Sequence, residues 1–93
     1  MDIKHVDGKH KGEVFLYALS TCGWCKKTKG FLSEQGVEYS YVDVDLVPAA
    51  EQDKVVADVK RWNPSCSFPT IVIDDTTCIV GFQLDKIKET LKL

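Results

Sequence analysis

A chain of 93 residues, 44% of them hydrophobic, is long enough for one folded domain and too apolar to be disordered throughout. Its 12 basic residues are nearly balanced by 14 acidic ones, which leaves a formal net charge of -2. This balance argues against a nucleic-acid-binding or membrane-surface protein, because both classes depend on a concentrated basic patch.

The four cysteines are interpreted as those of a protein in a reducing compartment. Residues 1–10 are polar and lack the apolar core of a secretory signal, and no apolar run approaches the roughly 18 residues of a membrane span. We therefore expect a cytoplasmic protein. In such a protein a cysteine pair more often serves redox chemistry or metal binding than structural cross-linking.

The hydrophobic pattern predicts alternating strands and helices behind a loosely ordered lead-in of residues 1–12, whose His5 and His10 are interpreted as exposed tail residues rather than metal ligands. The predicted elements are a strand over residues 14–19, a helix over 22–35, a strand over 37–44, a helix over 45–60, strands over 69–73 and 77–80, and a helix over 83–91. We expect one domain over residues 13–93. Its predicted class is α/β, in the order β-α-β-α-β-β-α, with a four-stranded mixed sheet flanked by helices.

Helix boundaries are predicted from residues with capping chemistry. The hydroxyls of Ser20 and Thr21 are expected to accept from the free amides of the first helix, and Gly36 to end that helix in a left-handed conformation. Asp45 and Pro48 are expected to open the second helix.

The most informative feature is the pair Cys22 and Cys25, placed where the first strand is predicted to lead into the first helix. A helix N-terminus carries partial positive charge and unpaired amides, and both stabilise a thiolate, the form of cysteine that attacks a disulfide. Lys26 and Lys27 add positive charge nearby. Cys25 lies on the same side of the helix, further from its open end. This asymmetry predicts that Cys22 attacks a substrate disulfide and that Cys25 resolves the mixed disulfide.

Pro69, preceded by Phe68, begins a predicted strand. Proline cannot donate to a sheet ladder, so it must stand at a strand start, at an edge or in an unusual isomer. Two readings stay open: an ordinary strand-start proline, or a cis-proline that faces the cysteine pair and leaves the backbone of Phe68 free to pair with an extended substrate.

Three segments together resemble the glutaredoxin family. Residues 16–25 (LYALSTCGWC) resemble its opening strand and active site, residues 67–70 (SFPT) its cis-proline segment, and residues 80–85 (VGFQLD) its glycine-containing turn before the last helix. The resemblance covers residues 13–93 and implies a thioredoxin-like fold, dithiol exchange and a cis Pro69. Around the catalytic Cys22 and Cys25, we expect the substrate to contact Thr21, Gly23, Trp24, Phe68, Pro69, Gly81 and Phe82.

The electron donor stays open between glutathione and a reductase of the thioredoxin-reductase type, and no bound cofactor is expected. Many glutathione-using members carry a basic residue where this chain has Leu19, and they usually have paired glycines where it has Gly81 and Phe82. Gly-Phe followed by an acidic residue, here Asp85, resembles the NrdH-type redoxins that serve ribonucleotide reductase.

The sequence thus predicts a monomeric disulfide oxidoreductase that reduces protein or low-molecular-weight disulfides. The alternative is an iron–sulfur or zinc protein on the same fold. Cys66 and Cys78 do not form a second C-x-x-C pair, which argues against a closed four-thiolate zinc site. We interpret Cys66 as an incidental loop cysteine and Cys78 as a small core residue. A catalytically idle interaction domain ranks last, since both cysteines and the proline are present.

Overall fold

The computed structural model describes residues 3–93, in which five strands pair into one mixed sheet in the order β1-β3-β2-β4-β5. Strands β2 and β3 are parallel, and every other neighbouring pair is antiparallel. The elements in chain order are β1 (Lys4–Val6), β2 (Val14–Ala18), α1 (Gly23–Glu34), β3 (Tyr39–Asp43), a 3-10 turn (Val44–Leu46), α2 (Ala49–Trp62), β4 (Thr70–Ile73), β5 (Thr77–Val80) and α3 (Leu84–Leu91). The expected mixed α/β architecture is confirmed.

The strand count was wrong, because β1 lies inside the expected loose lead-in and adds a fifth strand at the edge of the sheet. It pairs antiparallel with β3, with His5 opposite Ser40. A strand of three largely exposed residues carries almost no hydrophobic periodicity. Backbone pairing with β3 defines it instead, and such pairing cannot be read from local sequence.

The helix boundaries follow the predicted order but differ in their caps. Cys22, rather than Ser20 or Thr21, is the N-cap of α1. Asp45 lies in the 3-10 turn, so it does not open α2, whose N-cap is Pro48. In contrast, the expected left-handed glycine after α1 is confirmed, since Gly36 has φ of +66°.

Two apolar clusters cover the two faces of the sheet. One joins α1 and α3 to the sheet and includes the fully buried Leu16, Leu32 and Ile87. The other lies under α2 and includes Val55 and Val59. None of the helices within residues 3–93 is long and apolar enough to cross a membrane.

Candidate redox site at the start of α1

Cys22 takes the position that a serine or threonine commonly takes at the start of a helix. Its backbone is extended, with φ of -83° and ψ of 118°, and its sulfur accepts a hydrogen bond from the backbone amide of Cys25 at 3.2 Å. The amide of Cys22 donates to the carbonyl of Leu19 at 3.1 Å, which closes the turn between β2 and α1. The sulfur therefore lies among the free amides of a helix N-terminus, where negative charge is stabilised.

The charges of α1 also favour an anion at this end of the helix. Its first turn contains no acidic residue and its last turn no basic one. The lysines Lys26 and Lys27 instead stand near the N-terminus, where a cation interacts unfavourably with the helix dipole. This arrangement suits a helix that presents its N-terminus to a thiolate.

Cys25 has the opposite environment, because its side chain is fully buried in the cluster between α1, α3 and the sheet. Burial, followed by the hydrogen bond with Cys22, raises the pKa of Cys25 to about 12. The positive charge of Lys29 acts in the opposite sense but less strongly. The two sulfurs are thus unequal. That of Cys22 accepts a hydrogen bond from a backbone amide at the helix end, whereas that of Cys25 is a buried, protonated thiol.

The turn that carries Cys22 is tied to the 3-10 turn that follows the neighbouring parallel strand β3. The carboxylate of Asp45 accepts hydrogen bonds from the backbone amide of Ser20, at 2.8 Å, and from its hydroxyl. These two bonds hold the pKa of Asp45 below its ordinary value. Asp45 therefore positions the segment leading to Cys22 instead of opening α2.

The start of α1 forms one wall of the site, and the segment before β4 forms a second wall. The peptide bond between Phe68 and Pro69 is cis, as the resemblance implied. The carbonyl of Pro69 accepts from the amide of Gly81 at 2.8 Å, so the proline segment lies beside the turn that precedes α3. These two segments are 12 residues apart in sequence and meet because β4 and β5 form a hairpin.

Asn63 organises the loop before Phe68. This amide side chain is buried and donates to the carbonyl of Ser67 at 3.2 Å, to its hydroxyl at 3.0 Å and to the hydroxyl of Thr70 at 3.1 Å. Its oxygen accepts from the amide of Ser65 at 3.2 Å. A buried polar group is stable only when it is satisfied in this way, and these bonds hold the loop that presents Phe68.

An open cleft of about 220 Å³ separates the two walls, and its lining contains five of the seven residues expected to contact substrate. These are Trp24, Phe68, Pro69, Gly81 and Phe82. The two other expected contacts, Thr21 and Gly23, are exposed on either side of Cys22 and do not line the cleft.

Aromatic stacking shapes the rim of this cleft. The rings of Trp24 and Phe82 stack with centroids 6.0 Å apart, and Phe31 meets Phe82 edge-on at 6.4 Å. The ammonium of Lys27 lies 4.7 Å from the centre of the Trp24 ring. Trp24 nevertheless stays 58% exposed, which is unusual for a large apolar side chain and leaves most of its ring open to a partner.

Sequence reasoning missed the roles of Asn63, Asp45 and Phe31. The sequence marks Asn63 as part of the segment that breaks the second helix. It favours Asp45 as a helix cap, with a carboxylate that accepts the proton of Cys25 as the less favoured alternative. Only Asn63 offered a signal, and it was weak: this polar residue directly follows a helix that has a buried face. The contacts of these side chains are with residues distant in the chain or in the next loop, and they depend on the folded arrangement.

The two remaining cysteines lie outside the lining of the cleft. Cys66 is partly buried against the cluster under α2 and has φ of +49°. Cys78 is partly buried on β5, where burial raises the pKa of its thiol.

The fold and the site define a class. A mixed sheet with helices on both faces is thioredoxin-like, and the cysteine pair at the first helix, opposite a cis-proline, is the dithiol arrangement of that fold. The family model described as Glutaredoxin matches residues 14–78, well over half of the chain, and the chain belongs to the glutaredoxin family. Family and fold together support thiol–disulfide oxidoreductase activity.

Individual relatives agree with this assignment. The chain is similar to the crystal structure of a glutaredoxin from Methanosarcina mazei Go1, with 47% identity, a TM-score of 0.89, and coverage of 98% of this chain and 88% of that one. It is also similar to a methanoredoxin from Methanosarcina acetivorans, with 45% identity, a TM-score of 0.89, and coverage of 92% and 90% respectively. In sequence, it is 34% identical over 77 residues to a glutaredoxin-like 8.6 kDa protein in the rubredoxin operon of Clostridium pasteurianum, covering 80% of this chain and 95% of that protein.

Proposed function

We propose that the protein is a dithiol–disulfide oxidoreductase in which Cys22 attacks the substrate disulfide and Cys25 resolves the mixed disulfide. The observation that carries this assignment is the inequality of the two sulfurs. The sulfur of Cys22 accepts an amide at the helix N-terminus, whereas Cys25 is fully buried and its pKa is raised to about 12. An incoming disulfide can reach only the first of them.

The chemistry balances over two exchanges. The Cys22 thiolate attacks one sulfur of the substrate, forming a mixed disulfide and releasing the other sulfur as a thiolate that takes up a proton. Cys25 then loses its proton and attacks the sulfur of Cys22, forming the Cys22–Cys25 disulfide and releasing the second substrate thiol. The substrate gains two electrons and the protein loses two, which an external thiol or reductase returns.

The cleft supports a substrate with an extended backbone next to its disulfide. Phe68 lines the cleft and lies outside the helices and strands. Among the described residues, its backbone amide and carbonyl form none of the backbone–backbone hydrogen bonds of the turns and loops. A short extended segment can pair with these groups while its apolar side chains contact Trp24 and Phe82. Both glutathione and a loop of a protein substrate fit this description.

We also expect the protein to act as a monomer in a reducing compartment.

Trapping tests the two roles. A Cys25→Ser variant, incubated with a disulfide-bearing peptide, should accumulate a mixed disulfide through Cys22, because the resolving sulfur is gone. A Cys22→Ser variant should accumulate none, and Cys66→Ser and Cys78→Ser variants should turn over at the rate of the unmodified protein. Mass spectrometry of the non-reduced adducts measures the trapping, and an assay of disulfide reduction measures the turnover. A Cys22→Ser variant that kept full disulfide-reducing activity would contradict the assignment.

The donor is tested separately, by turnover of one disulfide substrate with two regenerating systems. One is glutathione with glutathione reductase, and the other is NADPH with a thioredoxin reductase. Activity with only the first makes the protein a glutathione-dependent glutaredoxin. Activity with only the second places it with the NrdH-type redoxins and agrees with the Gly81-Phe82 turn, which lacks a second glycine.

A further inference from the structure

Three side chains with metal-binding atoms converge at the β1 edge of the sheet, the edge opposite β5. The Nε2 atom of His5 lies 3.1 Å from a carboxylate oxygen of Glu38 and 3.4 Å from one of Asp7. One ligand atom from each of the three residues can be chosen so that all lie within 4.8 Å of one another. We propose that His5, Asp7 and Glu38 bind a zinc ion.

Hydrogen bonds behind two of these side chains, His5 and Glu38, hold them in a ligating arrangement. The Nδ1 atom of His5 lies 3.0 Å from the hydroxyl of Ser40, and the Nδ1 atom of His10 lies 3.0 Å from the second oxygen of Glu38. When Nδ1 of His5 carries the proton and donates to Ser40, Nε2 directs its lone pair at two carboxylates. A lone pair and two negative charges at this distance offer three ligand atoms to a shared cation, whereas an Nε2 that carries a proton donates a hydrogen bond to Glu38 instead. Partners of this kind behind a ligand commonly fix its orientation in metal sites.

The backbone beneath the cluster is held by long-range pairing and is not a free tail. His5 lies opposite Ser40 in the antiparallel ladder of β1 and β3. The amide of Lys9 donates to the carbonyl of Gly36 at 2.7 Å, and the amide of Glu38 donates to the carbonyl of Lys9 at 2.9 Å. The chain between Asp7 and His10 is thereby fixed against the start of β3.

Gly8 makes this close approach possible. A Cβ atom at Gly8 would lie 2.6 Å from the carbonyl oxygen of Gly36 and 2.7 Å from the amide nitrogen of Glu38. Any side chain at this position would push the loop away from β3 and would separate Asp7 and His10 from Glu38. The glycine is therefore part of what assembles the cluster.

The donor set and spacing select the ion. Zinc in a four-coordinate site has bonds of about 2.0–2.1 Å to imidazole nitrogen and carboxylate oxygen, so tetrahedral ligand atoms lie roughly 3.3 Å apart. The separations of 3.1 and 3.4 Å around Nε2 of His5 match this value. Magnesium and calcium prefer all-oxygen ligands, which makes the imidazole a poor choice for either. Three protein ligands leave the fourth position to water.

An ion at this site joins β1 to β3. Asp7 follows β1 directly and Glu38 directly precedes β3, so in this antiparallel pair a shared ion ties the two strands together at one end. A ligand that binds only the folded chain stabilises it in proportion to the logarithm of its concentration above Kd. Zinc should therefore raise the Tm of the protein.

The test is a titration with zinc chloride of the full chain carrying Cys22→Ser and Cys25→Ser, which removes the competing thiol pair. Long-range nitrogen NMR reads the imidazoles directly, because the chain contains only two histidines. We expect one equivalent of zinc to shift Nε2 of His5, and zinc to raise Tm. The proposal is overturned if equimolar zinc leaves Nε2 of His5 unchanged.

Substitutions then separate this site from adventitious binding. The Asp7 side chain is 99% exposed, so Asp7→Asn leaves the fold intact while it should lower zinc affinity at least tenfold and abolish the rise in Tm. His5→Gln should remove binding altogether. Asp53→Asn, on the exposed surface of α2, is the matched control and should bind as the parent does. Equal zinc affinity in Asp7→Asn and Asp53→Asn would refute the site.

Discussion

At the scale of single residues, the chemistry depends on two cysteines three positions apart in very different surroundings. The sulfur of Cys22 replaces the oxygen of an ordinary helix cap and accepts the amide of Cys25 at 3.2 Å. Cys25 belongs to the apolar cluster and has no exposed surface. Desolvation disfavours the charged form of a thiol, which is why the pKa of Cys25 rises to about 12 while its sulfur remains within one helical turn of Cys22.

The pKa of Cys25 gives a prediction for alkaline stability. Folding raises this pKa from 9.0 to about 12, so the folded reduced protein binds the proton more tightly than the unfolded chain does. The resulting stability is fully present below pH 9 and is lost as the pH rises towards 12. In reducing buffer, the free energy of unfolding should fall relative to that of a Cys25→Ala variant by up to about 1.4 kcal/mol per pH unit above pH 9.

Denaturant titrations of both proteins at several pH values between 7 and 11 measure this difference. The variant corrects for every other group that changes charge with pH, because those groups are the same in both chains. Parallel pH profiles for the two proteins would show that Cys25 is not desolvated in solution.

At the scale of elements, α1 is defined by what stands at its two ends. Cys22 caps its N-terminus, and after Gln35 the chain reverses through Gly36, whose φ of +66° is costly for any residue with a side chain. The amide of Val37 then donates to the carbonyl of Leu32 at 3.0 Å, which satisfies one of the free carbonyls at the end of the helix. Gly36 therefore sets the direction in which the chain enters β3.

Two glycines of this region should respond oppositely to alanine. Gly36→Ala should lower the free energy of unfolding by about 1 kcal/mol, because a left-handed conformation is strained for alanine. Gly30→Ala, within α1, should raise it by up to about 1 kcal/mol, because alanine favours the helix. A Cβ atom at either position meets nothing within 4 Å, so the difference reports backbone conformation alone.

Chemical denaturation of the two variants beside the parent protein measures both changes. The same sign of change in both variants would contradict the assigned conformations of α1 and of the turn that follows it.

At the scale of the whole molecule, the sheet holds two apolar clusters together, and the redox site borders one of them. The cluster between α1, α3 and the sheet contains Cys25, with Cys22 and Phe68 packed against it. Among the described residues, every buried side-chain nitrogen or oxygen has a hydrogen-bond partner. Both walls of the cleft therefore rest on one packed core, and loss of packing there should loosen the site as well as the fold.

A pair of identical substitutions tests this link. Leu32 is fully buried in the same cluster as Cys25, so Leu32→Ala should cost about 2–5 kcal/mol out of a total of about 5–15 kcal/mol. Leu46 is 67% exposed, and Leu46→Ala should change stability by less than about 0.5 kcal/mol. Thermal unfolding measures both effects, and comparable losses in the two variants would contradict the assigned core.

Several elements were predictable because local patterns define them. The strand at residues 77–80 was predicted with the bounds that the structure shows, and Gly36 was predicted to end α1 as it does. The spacing of Val55, Val56 and Val59 predicts the buried face of the second helix. Val55 and Val59 are buried, and Val56 is partly buried against the same cluster. In contrast, the caps of α1 and α2 were wrong, because cysteine and proline took positions that capping preferences assign to serine, threonine or aspartate.

The sequence by itself determined the order of the main elements, the cysteine pair at a strand-to-helix junction and the family resemblance, because each of these is written in neighbouring residues. Only the tertiary structure decided that Lys4–Val6 form a fifth strand, that Trp24 and Phe82 stack over one cleft, and that Glu38 meets His5. These contacts join residues 33 to 58 positions apart or depend on backbone pairing at a sheet edge. Local periodicity carries no record of which distant segments meet, since strand pairing and the packing of both faces decide it together.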